Sequence, residues 1–136
     1  MCNFECLRCI NLIIRIMYTF SFERLEVWIK SRFLTKKIYN LTQDFPESEK
    51  FGLVSQVRRA VISVCSNLAE GSSRKSKKDQ SHFYNMAFSS LMEVLNQLII
   101  SNDLEYLDSE SLEDLRNEIR TISLMLNSLC KATSGK

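Results

Sequence analysis

Chemistry could be asked of several groups of side chains in this chain. Arg74, Lys75, Lys77 and Lys78 crowd one short stretch, with Arg58 and Arg59 upstream of it. Cations at that density suit phosphate, because each Lys or Arg that neutralises a phosphate releases condensed counterions. A second group runs at helical spacing: Gln56, Arg59, Ser63, Asn67 and Glu70, with Glu93 further on as a carboxylate for a cation such as Arg59. Neutral Ser63 and Asn67 between charged residues suit a buried or interfacial polar network, since exposed faces favour long charged side chains. A plainly solvated face is the alternative.

The five cysteines divide into Cys2, Cys6 and Cys9 at the start and Cys65 and Cys130 inside helical patterns. Cys6-x-x-Cys9 with Cys2 lacks a fourth ligand, because the one histidine is His82, so no metal site is expected. An odd count without a secretory signal points to reduced thiols and a cytoplasmic protein. Cys65 and Cys130 should pack as small apolar residues. Catalysis finds little support. Glu70 and Glu93 as a carboxylate pair are explained more simply by Arg59, His82 has only Asp79 at helical spacing, and Cys65 has no adjacent histidine. With no phosphate loop, nucleophile–base pair or ligand cluster, neither an enzyme nor a cofactor is expected.

The elements that must position these residues are helical. A chain of 136 residues with one proline and three glycines has few breakers and the length of one domain. The net charge of +2 is small but unevenly spread. The basic middle is followed by Asp103, Glu105, Asp108, Glu110, Glu113, Asp114 and Glu118, so copies could pair head to tail, or the basic end could meet an anion.

Residues 1–20 read as a leader apart from the bundle. Ile10 to Ile16 is interrupted by Asn11 and Arg15, too short to span a membrane, and the leader lacks the marks of a secretory peptide. The expectation is a true start near Met17, with an apolar segment lying on the bundle as the alternative. Residues 21–131 form the helical domain and 132–136 a flexible tail.

The first helix is expected from Glu23 to Asp44, with Val27, Leu34, Ile38, Leu41 and Phe45 on one stripe. Phe22, Leu25, Trp28, Ile29, Phe33 and Tyr39 fall elsewhere, a second apolar face expected to bury against another subunit. After a turn at Pro46, the second helix runs from about Leu53 to Glu70, and Gly71 stands where a left-handed helix end is expected. Ser72 to Lys78 should be a polar loop, with Ser76 and Asp79 opening the third helix as a capping-box pair. That helix runs to about Ser101 on a core face of Phe83, Ala87, Leu91, Val94, Leu95 and Leu98, and the small Ser89 and Ser90 permit a close neighbour. The last starts at Asp108 or Ser109 on a seam of Leu112, Leu115, Ile119, Ile122, Leu126 and Leu129. The fold class is all-α, an up-down four-helix bundle.

Several blocks carry a resemblance. They are Phe22-Glu23-x-Leu25-x-Val27-Trp28, then Phe45-Pro46-x-x-Glu49-x-Phe51-Gly52-Leu53-x-x-Gln56-x-Arg58-Arg59-Ala60, and Ser66-Asn67-Leu68-Ala69-Glu70-Gly71. Arg74-x-Ser76, Phe83, Ala87 and Ser90-Leu91-x-Glu93 extend them to about Leu129. The chain resembles the four-helix-bundle proteins encoded within intervening sequences of bacterial 23S ribosomal RNA genes. Ser89 stands where that family usually has glycine, and Asp79 where it often has glutamate. The resemblance implies a left-handed bundle assembled as a ring, with a homopentamer expected, and a link to RNA or DNA. A related group, the accessory variability determinant proteins of diversity-generating retroelements, comprises basic pentamers that bind a reverse transcriptase and nucleic acid.

The function expected is therefore a non-enzymatic homo-oligomer binding structured RNA through Arg58, Arg74, Lys75, Lys77 and Lys78. No aromatic residue interleaves with the lysines, so recognition should follow charge and shape. The alternative is an adaptor ring that scaffolds a protein partner. No membrane partner is expected.

Overall fold

The computed structural model describes residues 18–134, so the readings on Cys2, Cys6, Cys9 and the start near Met17 lie outside the described residues. Within them the regular structure is helical: α1 (Glu26–Thr42), α2 (Leu53–Ser73), α3 (Lys77–Asp103) and α4 (Ser109–Thr133), with short 3-10 turns at Ser21–Arg24 and Glu47–Glu49. None of these helices is long and apolar enough to cross a membrane.

Each helix buries one stripe. Val27, Leu34 and Ile38 of α1, Val57, Val61, Val64 and Leu68 of α2, Ala87, Leu91, Val94 and Leu98 of α3, and Leu115, Ile119, Ile122 and Leu126 of α4 share one core. At roughly 25 cal/mol per Å² this burial is the main term holding the helices together. The buried hydroxyls of α1 are satisfied locally. Ser31 Oγ donates to the Val27 carbonyl at 2.7 Å, and Thr42 Oγ1 to that of Ile38 at 2.8 Å.

Contacts between neighbours rise along one helix while falling along the next. Thr35 meets Cys65 and Thr42 meets Arg58 between α1 and α2. Ser63 meets Ser90, and Gly71 lies against Phe83 and Tyr84, between α2 and α3. Asn85 meets Cys130 across α3 and α4, and Lys37 meets Glu118 between α1 and α4.

Several boundaries differ from the sequence expectation. Leu25 is extended, so α1 begins at Glu26 rather than Glu23. Gly71 is not a left-handed cap; it lies inside α2, which continues to Ser73. The expected loop over 72–78 shrinks to Arg74–Ser76, because Ser72 and Ser73 return hydroxyl bonds to Ala69 and Glu70 and stay helical, while Lys77 and Lys78 already open α3. Tyr84, not Phe83, takes the core position on α3, and Leu95 and Leu129 are only partly buried. Residues 132 and 133, assigned to the tail, complete α4.

Candidate nucleic-acid interface

The α2–α3 corner is fixed tightly for so short a link. Arg74 is extended, its amide bonded to the Gly71 carbonyl at 3.1 Å, and Gln80 Nε2 returns to the Arg74 carbonyl at 3.0 Å. Ser76 Oγ accepts from the Asp79 amide at 3.1 Å and caps α3, so the hydroxyl half of the expected capping box is present. Phe83 falls one position off the buried seam of α3, and the Arg74 guanidinium lies 4.5 Å from the centre of its ring.

This corner presents Arg74, Lys75, Lys77 and Lys78, all exposed. None of the ion pairs among the described residues involves them. Asp79 is the one acid in the first turn of α3. Lys77 and Lys78 also share a concavity with Ser81, His82, Asn85, Thr133 and Ser134, none of which composition singles out as a group. The positive end of the α3 dipole adds to the same field.

Arg58 is not brought to this cluster. It lies fifteen residues before Ser73, the last residue of α2, roughly 22 Å along the helix at 1.5 Å per residue. Its Nε donates to Thr42 Oγ1 at 2.9 Å, a terminal nitrogen donates to the Tyr39 carbonyl at 3.2 Å, and the guanidinium rests 4.5 Å from the centre of the Tyr39 ring. Arg58 ties the end of α1 to α2.

The polar row is partly assembled. Ser63 and Ser90 hydroxyls meet at 2.9 Å, and Asn67 Nδ2 donates to Ser63 Oγ at 3.0 Å. Gln56, Arg59, Ser63 and Glu93 line one open cleft. Yet Arg59 and Glu93 form no ion pair, Gln56, Arg59 and Glu70 are exposed, and Glu93 accepts instead from Gln97 Nε2 at 3.1 Å. The expected buried charge network is therefore a half-buried hydroxyl–amide patch flanked by solvated charges. Sequence reasoning named Ser90 only as a small residue and as part of the resemblance, not as a polar partner, and missed Gln97. Their spacing of three and four around Glu93 was the available signal. Gln97 is nearly fully buried, and its Oε1 has no partner.

The second apolar face of α1 is mostly used within the chain. Leu25, Trp28 and Tyr39 pack on the core, Phe22 meets Trp28 edge to face at 5.0 Å, and Ile29 is half-buried. Only Phe33 remains largely open, at 66% exposure. The reason is the 3-10 turn, which folds Phe22 back onto Trp28.

No group of three or more His, Cys, Asp or Glu among the described residues could hold a metal ion. Burial raises the thiol pKa of Cys65, partly countered by the Thr35 hydroxyl and by Arg32, and it also raises that of Cys130. Both are less nucleophilic for it.

Comparison with known proteins adds a family. The family model described as 23S rRNA-intervening sequence protein matches residues 23–128. Among solved structures, the chain is similar to a protein of unknown function from the S23 ribosomal protein family of Bacteroides thetaiotaomicron VPI-5482. The two are 26% identical over 77% of this chain and 95% of that one, with a TM-score of 0.72. No curated protein matches the chain.

Proposed function

The chain belongs to the 23S rRNA-intervening sequence protein family, and on that premise we propose that it is a non-enzymatic, cytoplasmic up-down bundle that binds structured RNA. Its contact surface is the α2–α3 corner, and self-association into a ring repeats that corner around the assembly. The observation that carries this reading is the set Arg74, Lys75, Lys77 and Lys78, exposed and free of carboxylate partners beside a helix N-terminus. Four cations on one subunit give weak affinity, and repetition on a ring raises it through effective concentration. Arg58 is left out of the contact set because its guanidinium is occupied within the fold.

Titration of an RNA hairpin at increasing salt tests the reading. Affinity should fall steeply, and each lysine of the corner replaced by glutamine should lower the log–log slope by about one. Binding that is flat with salt, or absent at low salt, refutes it.

An adaptor ring is the second reading, favoured by the aromatic Phe33 and Phe51 that stand exposed on the subunit. Capture of a stoichiometric protein that survives nuclease treatment would select it over RNA binding.

A further inference from the structure

Arg58 and Arg59 are neighbours with opposite uses. Arg58 turns to α1, where its donors are occupied. Arg59 turns to the α3 side and lines an open cleft of about 360 Å³ with Gln56, Ala60, Ser63 and Glu93. That volume lies within the roughly 300–1,000 Å³ of small-ligand sites. Arg59 and Glu93 belong to none of the ion pairs among the described residues, so a cation and a carboxylate stand in one cleft without neutralising each other. A ligand between them must accept from the guanidinium and donate to the carboxylate.

The α3 wall is short of donors in a second way. Glu93 Oε1 accepts from Gln97 Nε2 at 3.1 Å, while Gln97 Oε1 is buried with no partner. Turning the amide over would set that oxygen against the carboxylate, so a flip does not remove the shortage. A carboxylate has about four acceptor positions, so Glu93 keeps room for two N–H groups side by side. The Arg59 fork matches two acceptors side by side. Among the four RNA bases guanine alone presents both pairs, O6 and N7 to a guanidinium and N1–H and N2–H to a carboxylate.

We propose that the α2–α3 cleft holds one unpaired guanine base, Arg59 donating to O6 and N7 and Glu93 accepting from N1–H and N2–H. Delivery of the base by RNA rests on the functional reading above, while a free guanine nucleotide carries the same edges. Sequence-specific recognition of RNA works in this way, on bases splayed out of single-stranded segments. The polar row joins the cleft to the basic corner along one face of α2, since Ser63 and Asn67 follow Arg59 at steps of four. From Arg59 to Ser73 is fourteen residues of α2, roughly 21 Å. An extended strand of a few nucleotides covers that distance. Phosphate contacts position and base contacts specify. The corner therefore sets the salt-dependent affinity, and the cleft adds a base preference that charge and shape alone do not give.

Fluorescence anisotropy at one salt concentration compares an oligouridine RNA carrying a single central guanine with two analogues. One carries inosine, which lacks the N2 amino group, and the other 7-deazaguanine, which lacks N7. The guanine strand should bind about tenfold more tightly than either, as a bidentate base contact would give. Glu93→Gln keeps an oxygen for Gln97 but turns the second acceptor into a donor, and Arg59→Met removes a side chain outside the ion pairs of the fold. Both should stay folded by circular dichroism and bind the three strands alike. Competition with guanosine monophosphate separates the sources: displacement only far above the strand's own concentration assigns the RNA, and displacement at equal concentration assigns the free nucleotide. RNA binding that falls with salt yet treats guanine and inosine alike overturns the cleft and leaves the corner standing. Binding of the monophosphate that Glu93→Gln abolishes, with no RNA bound at low salt, retains the cleft and overturns the RNA reading. A guanine preference that survives both variants places the base elsewhere and overturns this assignment.

Discussion

Gly71 sets how near α2 and α3 can come. A Cβ there would stand 2.8 Å from Tyr84 Cε1 and 2.9 Å from Phe83 Cβ. The second of these atoms is fixed by the α3 backbone, so it cannot swing away. Alanine in the middle of a helix is worth about 1 kcal/mol over glycine, but overpacking a close contact costs about 1–3 kcal/mol. The steric term should win, and Gly71→Ala should lower the urea midpoint with the slope unchanged. A midpoint that rises would mean the helices part freely at this level. Arg58 shows the complementary case, a charged side chain retained for structure, because its donors satisfy Thr42 Oγ1 and the Tyr39 carbonyl at the end of α1.

At the scale of the element, helix ends carry what pH can alter. Asp108 is extended and caps α4, its Oδ1 accepting from the Ser111 amide at 2.7 Å. That backbone bond is the first cause holding its carboxyl below the ordinary aspartate range, and bonding from the Ser111 side chain adds to it. A depressed folded pKa contributes stability that is present above the unfolded value and lost as pH falls through the folded one. Asp108→Asn keeps an acceptor at the cap and removes the titration, so melting temperature should decline less between neutral and acid pH than in the wild type. Parallel melting curves would count against this role for Asp108. Ser76→Ala, at the start of α3, should cost about 0.5–2 kcal/mol at every pH, because a hydroxyl does not titrate there. These ends were legible in the sequence, since a Ser or Asp ahead of an apolar rhythm has one common use. The core seam of α4 was legible for the same reason: Leu112, Leu115, Ile119, Ile122 and Leu126 all lie buried. The phase of α3 was legible too, since Tyr84 continues the three–four rhythm of Ala87, Leu91, Val94 and Leu98, and the expectation set on Phe83 overlooked it. Phe83 falls one position off that seam, where its ring meets the Arg74 guanidinium of the preceding loop. Gly71 misled because a glycine near the end of a pattern signals a cap by local chemistry alone, whereas here its use is set by a neighbouring helix.

Across the whole molecule, charge is sorted by the way the chain folds back on itself. The α2–α3 corner collects Arg74, Lys75, Lys77 and Lys78, while the α1–α2 turn and the α3–α4 link carry Asp44, Glu47, Asp103, Glu105 and Asp108. The uneven charge was visible in the sequence, but Arg58 was counted with the basic group. Nothing local reveals that a guanidinium at that position is folded over Tyr39. This difference gives the candidate site its sharpest test, since two kinds of cation should respond in opposite ways. Arg58→Met removes the donor to Thr42 Oγ1 and one of the two side-chain donors to the Tyr39 carbonyl, which keeps its bond from Thr42 Oγ1. It should cost about 1 kcal/mol or more and leave RNA affinity at a fixed salt concentration unchanged. Lys75→Gln with Lys78→Gln touches no hydrogen bond or ion pair of the fold, so stability should move by no more than about 0.5 kcal/mol, while affinity falls and its salt slope drops by about two. Urea denaturation and filter binding on the same preparations separate the outcomes. If Arg58→Met weakened RNA binding as much as the lysine pair did, with the fold intact, the contact would extend along α2 and the corner would not be its centre.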